Sequence, residues 1–224
     1  IVVARKEIAQ SEYWCKLKGQ LETSEWWKRV EDEKTVHCYC FGTGSPRRSA
    51  SAVDQLALFA LIVAHFKEHN VSVIEAGVAE PELSEGEDGH ELAELGMKLI
   101  PPPDKGMFEL PPRSPSFVYM PHCGRWFYSN LLYCNWQAER LAGVMLFGNS
   151  FESYYLRSME KEDEAKCCIL RLLPLTHEER VTNTFARSSS YNDLSLHSFG
   201  RVLAAPALPS PPSSPRSSDP HLSS

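Results

Sequence analysis

Residues 35–45 read TVHCYCFGTGS, an apolar run that ends in a glycine-rich turn. Apolar and aromatic side chains at consecutive positions are typical of a strand buried on both faces, and the two glycines favour a tight turn after it. Residues 53–66 follow the turn and are apolar almost all the way round, and Ser51 with Asp54 has the spacing of a helix N-cap. A buried strand, a turn and a buried helix in this order predict an α/β fold.

Strand and helix patterns alternate through the rest of the central region. Helices are predicted after Ser84, over residues 125–134 and after Ser150, because these segments have apolar positions at helical spacing or a side chain suited to an N-cap. Short apolar runs predict strands at residues 71–74, 97–100, 116–120, 143–147, 168–173 and 195–199. The alternation predicts an α/β fold of three layers, with a mainly parallel, Rossmann-like sheet and helices on both faces.

Composition divides the chain into three regions. Residues 1–34 mix charges with aromatic and apolar side chains at spacings that predict a helical lead-in, and residues 35–199 form the predicted α/β domain. Residues 200–224 are dominated by Pro and Ser. Because such a segment buries too little apolar surface to offset its ordering entropy, we predict a disordered tail.

Composition also limits the classes of partner. A formal net charge of -6, without a dense cluster of Lys and Arg, disfavours direct binding of nucleic acid. The longest apolar run, residues 56–66, is too short to span a bilayer, so no membrane partner is expected. Seven cysteines, an odd number, indicate free thiols in a reducing compartment, and we expect the cytoplasm and the nucleus.

Three loops that follow predicted strands are candidate ligand sites, because open parallel sheets bind ligands beyond the carboxyl ends of their strands. In the first loop, Gly42 and Gly44 would let the backbone approach a phosphate or ribose beside Ser45. Glu75, after the second predicted strand, is the nearest acidic partner. The third glycine of a dinucleotide fingerprint is missing, so the alternative is a turn needed only for packing.

The second loop contains His122, Cys123 and Gly124. An imidazole exchanges protons near neutral pH, and Cys123 would be a nucleophile if the following helix stabilised its thiolate. Neighbouring residues of an extended segment point in opposite directions, however, and sequence adjacency is not a catalytic pair. Cysteine-dependent hydrolase or transferase chemistry therefore competes with a hydrogen-bonded His and a buried thiol that fix the loop.

The third loop contains Asn149, which suits an unusual backbone conformation, and Ser150, which suits a helix N-cap. If Asn149 lies beside His122 at neighbouring strand ends, the pair makes a small polar site with an apolar surround.

The run HCYC at residues 37–40 resembles a metal-ligand cluster. On a strand its two Cys share one face while its His lies on the other, so no metal site is predicted. Haem or a nucleotide is chemically possible as a cofactor, but no spacing selects either.

Six segments form a set: CYCFGTGS at residues 38–45 with QLAL at 55–58, YMPHCG at 119–124 with YSNLL at 128–132, GNSFESY at 148–154, and YNDLSLHSF at 191–199. Together they resemble the Sensitivity to Red Light Reduced family, in its animal-type form, over residues 35–199. The chain departs from the family pattern after the second predicted strand, where Glu75 is followed by AGVAEP rather than by an Asp-Pro pair.

The resemblance implies a regulatory protein linked to circadian rhythm and clock-gene expression, to light signalling in plants and to the control of haem biosynthesis in animals. It implies no reaction. Our leading hypothesis is a regulator, not an enzyme, that acts through protein partners or a sensed ligand. The alternative is a Rossmann-like enzyme or a protein that binds a nucleotide or S-adenosylmethionine, which the glycine-rich first loop favours.

Overall fold

Seven strands form one mixed sheet in the part of the chain that the computed structural model describes, residues 1–157 and 167–215. The strands are β1 (Thr35–Phe41), β2 (Ser72–Ala79), β3 (Lys98–Leu99), β4 (Ser116–Met120), β5 (Val144–Asn149), β6 (His177–Arg180) and β7 (Leu194–Ser198). Their order is β3-β2-β1-β4-β5-β7-β6; the first five strands pair in parallel, and β7 is antiparallel to both of its neighbours. The predicted α/β fold with a mainly parallel sheet is confirmed.

Helices cover both faces of this sheet. Those described are α1 (Val2–Ala9), α2 (Glu12–Thr23), α3 (Glu25–Glu33), α4 (Ala50–Glu68), α5 (Glu87–Glu94), α6 (Arg125–Cys134), α7 (Ala138–Ala142), α8 (Phe151–Arg157) and α9 (Cys168–Leu172). Buried residues of α1–α5 pack with Cys38 and Cys40 of β1, whereas those of α6–α9 pack with Tyr39 and Phe41. Because successive strand residues point to opposite faces, the molecule has the three layers that the sequence predicts.

Helix α4 is the central helix of the first face, and its apolar side chains are buried nearly all the way round. It begins after Ser49, whose hydroxyl accepts the N–H of Ala52 at 3.4 Å, so the predicted N-cap at Ser51 with Asp54 is wrong. By length and composition α4 is also sufficient to cross a membrane, but 72% of its apolar window is buried inside the protein, as expected of a core helix.

Two elements near the carboxyl end of the chain differ from the predictions. The segment predicted as a strand at residues 168–173 is helix α9, because a short apolar run does not by itself distinguish a strand from a helix. Strand β6 was not predicted, since its sequence HEER contains no apolar residue. An edge strand needs no apolar residue, and charged side chains on it disfavour edge-to-edge association with another sheet.

Two boundaries in the middle of the chain differ as well. Helix α5 begins at Glu87 rather than after Ser84, and the backbone N–H and hydroxyl of Ser84 both donate to the Asp88 carboxylate at 2.9 Å. Strand β2 extends to Ala79, so Glu75 lies inside the strand and not at its end.

Aromatic stacking attaches the amino-terminal helices to the domain. Trp27 stacks on Phe66 of α4 with ring centroids 5.3 Å apart, and Tyr13 stacks on Tyr191 at 4.7 Å. At the other end, residues 200–215 lie against the domain, where Val202 is buried and the indole N–H of Trp136 donates to the carbonyl of Pro209 at 2.8 Å. The end of the predicted tail, residues 216–224, lies outside the described residues.

Candidate functional site

The carboxyl ends of β1, β4 and β5 are neighbours in the sheet, so the loops that follow these strands meet. The parallel register that pairs β1 with β4 and β4 with β5 sets their relative positions. We call the group the strand-end cluster: Gly42, Gly44, Ser45, Glu80, His122, Cys123, Gly124, Asn149 and Ser150. It contains the predicted site residues except Glu75, and Glu80 in addition.

The turn after β1 is packed tightly against Cys123. Gly42 has φ +71°, and a Cβ atom at this position would lie 2.6 Å from the Sγ atom of Cys123. The thiol in turn points to the carbonyl oxygen of Phe41 at 3.6 Å. Burial, with a smaller contribution from the charge of Glu80, raises the pKa of Cys123 to about 12. The thiol is therefore protonated near neutral pH, and the structure favours its packing role over a nucleophilic one.

Glu80, at the end of β2, holds the glycine turn in place. The backbone N–H of Gly44 donates to Oε2 of Glu80 at 2.8 Å, and the N–H of Glu82 donates to Oε1 at 3.2 Å. A phosphate bound by this turn would need the N–H groups that face it, and the carboxylate of Glu80 both occupies that of Gly44 and repels an anion. This arrangement favours a packing turn over a nucleotide site.

Glu75, the acidic residue expected to serve this loop, is engaged elsewhere. Its carboxylate accepts the hydroxyl of Tyr39 and pairs with Lys98, both at 2.7 Å. Burial raises its pKa, but Lys98 and Tyr39 outweigh this effect and the pKa lies below its usual value. Sequence reasoning missed Glu80 because the predicted strand ended five residues too early, at Ile74.

Asn149 links the second and third loops. Its Oδ1 atom accepts the backbone N–H of His122 at 2.9 Å, and its Nδ2 atom donates to the Tyr154 hydroxyl at 3.0 Å. That hydroxyl donates to the carbonyl of Cys123 at 3.0 Å, and the hydroxyl of Tyr128 accepts the N–H of Asn149 at 2.9 Å. The structure thus places Asn149 beside His122, and both functional atoms of its side chain are engaged within the fold.

His122 is the exposed residue of this pair, and its backbone is in the left-handed region with φ +57°. Its Nε2 atom lies 3.3 Å from the carbonyl oxygen of Ser190. Because Asn149 fixes the backbone and Ser190 lies beside the ring, the imidazole occupies a defined position at the surface.

The remaining cluster residues shape the elements around these loops. Ser150 is buried and caps α8, since its hydroxyl accepts the N–H of Ser153 at 3.0 Å. Gly124 precedes α6 as its N-cap residue, and the carbonyl of the buried Ser45 accepts the N–H groups of Arg48 and Ser49 at 3.0 and 3.1 Å. Ser45, Gly124 and Ser150 therefore fix the conformation of the three loops through helix caps and turn hydrogen bonds.

The segment 185–193, which we call the closing segment, borders the cluster and is anchored by Asp54 of α4. The guanidinium of Arg187 donates twice to the Asp54 carboxylate, each time at 2.7 Å, and the hydroxyl of Ser190 donates to it at 2.8 Å. Sequence reasoning missed this anchor. The signal was present, because an acid inside an otherwise apolar helix requires a partner.

The HCYC run behaves as a strand. Cys38 and Cys40 are buried in the core beneath α4, whereas His37 and Tyr39 lie on the opposite face with their rings 6.3 Å apart. Burial raises the pKa of the Cys38 thiol above its usual value.

Among the described residues, three grooves lie around α2, β6 and the turns beside β6, with volumes of about 480, 520 and 460 Å³. Their linings include Thr182, His177 and Arg201, so they lie apart from the strand-end cluster.

Comparison with known proteins places the chain in a family. The sequence model of the SRR1 domain matches residues 16–198. The chain is 28% identical over 197 residues to "Protein SENSITIVITY TO RED LIGHT REDUCED 1" of Arabidopsis thaliana. This alignment covers 85% of this chain and 67% of that protein. It is 34% identical over 116 residues to "SRR1-like protein" of Mus musculus, covering 52% of this chain and 45% of the relative.

The "SRR1-like protein" of Drosophila melanogaster is 29% identical over 194 residues, covering 86% of this chain and 64% of the relative. The chain therefore spans between 45% and 67% of the length of these relatives. No solved structure gives a significant match. Since the domain match extends over most of the sequence, this chain belongs to the SRR1 domain family.

Proposed function

We propose that this chain is a regulatory protein of light and circadian signalling that acts by binding a protein partner and catalyses no reaction. The name of the Arabidopsis relative, which refers to reduced sensitivity to red light, supports a regulatory role. We extend the proposal to clock-gene expression and to the regulation of haem biosynthesis, in the cytoplasm and the nucleus, because the family resemblance implies these roles.

The observation that carries the proposal is the engagement of side chains within the strand-end cluster. A covalent mechanism needs an activated nucleophile and a base within hydrogen-bond reach of each other. The thiol of Cys123 is protonated and packed against Gly42, Glu80 is bound to the backbone of the glycine turn, and the amide of Asn149 bridges two loops. These bonds make a rigid surface and favour recognition over reaction.

His122 is the residue that this surface presents to a partner. Its side chain is exposed, while its backbone is held by the amide of Asn149. A group fixed before binding loses little conformational entropy when the complex forms, which favours affinity.

Replacing His122 with Asn tests the proposal. Asn tolerates a left-handed backbone and cannot replace the imidazole, so we expect the variant to fold with nearly unchanged stability and to lose partner contact. In cells that lack the gene, we expect the wild-type chain to restore clock transcripts and haem content and His122→Asn to fail. Urea denaturation of the purified variant checks that its fold is intact.

Asn149→Ala provides the contrasting variant. It removes two hydrogen bonds within the fold, so we expect the free energy of unfolding to fall by about 1–2 kcal/mol.

Full rescue by His122→Asn would contradict the role of this surface, and normal clock transcripts and haem content in cells without the gene would contradict the regulatory function. Strong stabilisation of the purified chain by a nucleotide or S-adenosylmethionine, about 2.7 kcal/mol at 100 times the Kd, would instead support a Rossmann-like ligand-binding protein.

A further inference from the structure

Two helices bring a carboxylate and two imidazoles together at the end of α4 remote from the strand-end cluster. His69 is the residue that follows α4, four positions after His65, so both side chains lie at one side of the helix end. Glu22 of α2 faces them, with its Oε1 atom 2.9 Å from Nε2 of His65 and 3.6 Å from Nε2 of His69. One ligand atom from each residue lies within 4.8 Å of the other two. Ligand atoms of a tetrahedral zinc site are about 3.4 Å apart, so small side-chain movements complete the geometry.

His65 provides a second observation that points to a ligand at this position. The residue is 3% exposed, and among the described residues its Nε2 atom makes no hydrogen bond, although Oε1 of Glu22 lies 2.9 Å away. Buried nitrogens of this kind are normally paired. A cation between the ring and Glu22 would bind both the nitrogen lone pair and the carboxylate.

The electrostatic surroundings suit a cation. His65, His69 and Glu22 offer nitrogen and carboxylate oxygen atoms that all lie within 4.8 Å of one another. Glu22 and Glu68 are the acids that face His65, and Lys18 is the opposing base, with a weaker effect than Glu22. The Nδ1 atom of His65 lies 3.8 Å from Oε2 of Glu68, too far for a hydrogen bond, so this carboxylate contributes only negative charge near the site.

Aromatic rings hold the two imidazoles in place. His65 lies between Trp14 and Trp27, with ring centroids 5.6 and 5.4 Å away, and Trp27 also contacts His69 at 5.2 Å. Ligands whose rotamers are fixed by packing bind a metal with little loss of entropy.

We propose that Glu22, His65 and His69 bind a divalent transition-metal ion, for which Zn²⁺ is the best match. Two imidazoles and one carboxylate are borderline ligands that suit zinc, and the spacing of residues 65–69, HFKEH, is one found in zinc-binding helices. The side chains of Glu22 and His69 are each 38% exposed, which leaves room for water as a fourth ligand. The ion would fasten α2 of the amino-terminal region to the core helix α4.

Zinc titration of the full chain tests this site. The protein is stripped with a chelator, dialysed and titrated with ZnCl₂ by calorimetry, and thermal unfolding is recorded with and without the metal. We expect one site in the wild-type chain and a higher melting temperature in zinc. We expect His69→Ala, a partly exposed position, to weaken binding at least tenfold and to abolish the thermal shift.

His90→Ala is the matched control, because it removes an exposed His from α5 and is expected to leave zinc binding unchanged. Cobalt substitution separates this site from the seven thiols, since nitrogen and oxygen ligands give no thiolate charge-transfer band. Glu22→Gln keeps the shape of the side chain and should also weaken zinc binding. The same effect in this second variant would show that the loss in His69→Ala does not come from a folding defect. Absence of zinc binding by the wild-type chain, unchanged affinity in both variants, or a thiolate band would overturn the proposal.

Discussion

Gly42 is restricted by its own backbone and by its neighbour. Its φ of +71° disfavours any side chain, and a Cβ atom would lie 2.6 Å from Sγ of Cys123. Gly44 has a similar φ of +74°, but a Cβ atom there would have nothing within 4 Å. A side chain at Gly44 would therefore introduce backbone strain alone, whereas a side chain at Gly42 would add a steric clash to that strain.

We expect Gly42→Ala to lower the free energy of unfolding by about 2–4 kcal/mol, since backbone strain and overpacking add together. Gly44→Ala meets only the backbone strain, and we expect a loss of about 1–2 kcal/mol. Urea denaturation of both purified variants measures the difference.

Cys123→Ala in the Gly42→Ala background removes the atom that clashes. The double variant should then lose less stability than the sum of the two single variants, a coupling that a double-mutant cycle reports directly. Equal losses for the two glycine variants, with no coupling to Cys123, would show that the close approach has no energetic weight.

At the scale of elements, a buried acid of α4 helps to attach the closing segment, beside hydrogen bonds from Gln55 and Tyr191. Asp54 is 2% exposed and accepts hydrogen bonds from Arg187 and Ser190. Arg187 also pairs at 2.9 Å with Glu7 of α1, whose side chain is 51% exposed. One guanidinium therefore has a buried partner and an exposed one.

We expect Asp54→Asn to lower the free energy of unfolding by about 2–3 kcal/mol, because it weakens a bidentate pair whose carboxylate is buried, although the guanidinium is 41% exposed. Glu7→Gln removes the exposed partner of the same arginine and should cost about 0–1 kcal/mol. Chemical denaturation of the two variants makes the comparison, and similar losses would refute the assignment of Asp54 as the anchor.

Elements with clear sequence boundaries were predictable. Strand Ser116–Met120 and helix Arg125–Cys134 match their predicted limits, because Pro115 and Pro121 bracket the strand and the helix has apolar positions at regular spacing. Helix α9 and strand β6 were not predictable, since the first is short and apolar and the second is charged throughout. Their conformations depend on the neighbours against which they pack.

The strand-end cluster was predictable in its backbone but not in its side-chain bonds. Strand-loop patterns placed His122 and Asn149 at comparable positions, whereas the contact between Gly44 and Glu80 depends on the full length of β2. The meeting of Glu22 with His65 depends on how α2 packs against α4, and only the HFKEH spacing on α4 hinted at it.

At the scale of the whole molecule, Glu178 is, among the described residues, the carboxylate that most clearly links stability to pH. It accepts the N–H of Glu152 at 3.0 Å and lies 3.7 Å from Nε2 of the fully buried His197, so it joins β6, β7 and α8. Burial alone would raise its pKa, but the neighbouring His197, the hydroxyl of Ser150 and the N–H of Glu152 outweigh this effect and lower the pKa to about 2.

The folded protein therefore holds Glu178 ionised where the unfolded chain, with a pKa of about 4.3, binds a proton. Its contribution to stability is complete above pH 5 and is lost as the pH falls towards 2, by about 3 kcal/mol in total. Urea denaturation between pH 7 and pH 3 should show this decline. Glu178→Gln should flatten it, and an unchanged pH profile in that variant would assign the decline to other carboxylates.

The contacts between the first helices and the carboxyl-terminal segments determine how late in synthesis the fold can be completed. Tyr13 rests on Tyr191, and the side-chain amide of Gln20 donates to Glu179 and to the carbonyl of Arg180. A ribosome releases α1 and α2 before α4, against which both helices pack, and long before Tyr191, so the ring of Tyr13 stays uncovered until late in translation. Contacts between residues far apart in sequence form slowly. A nascent chain that ends before β7 therefore exposes apolar surface at its amino-terminal helices and is prone to aggregation.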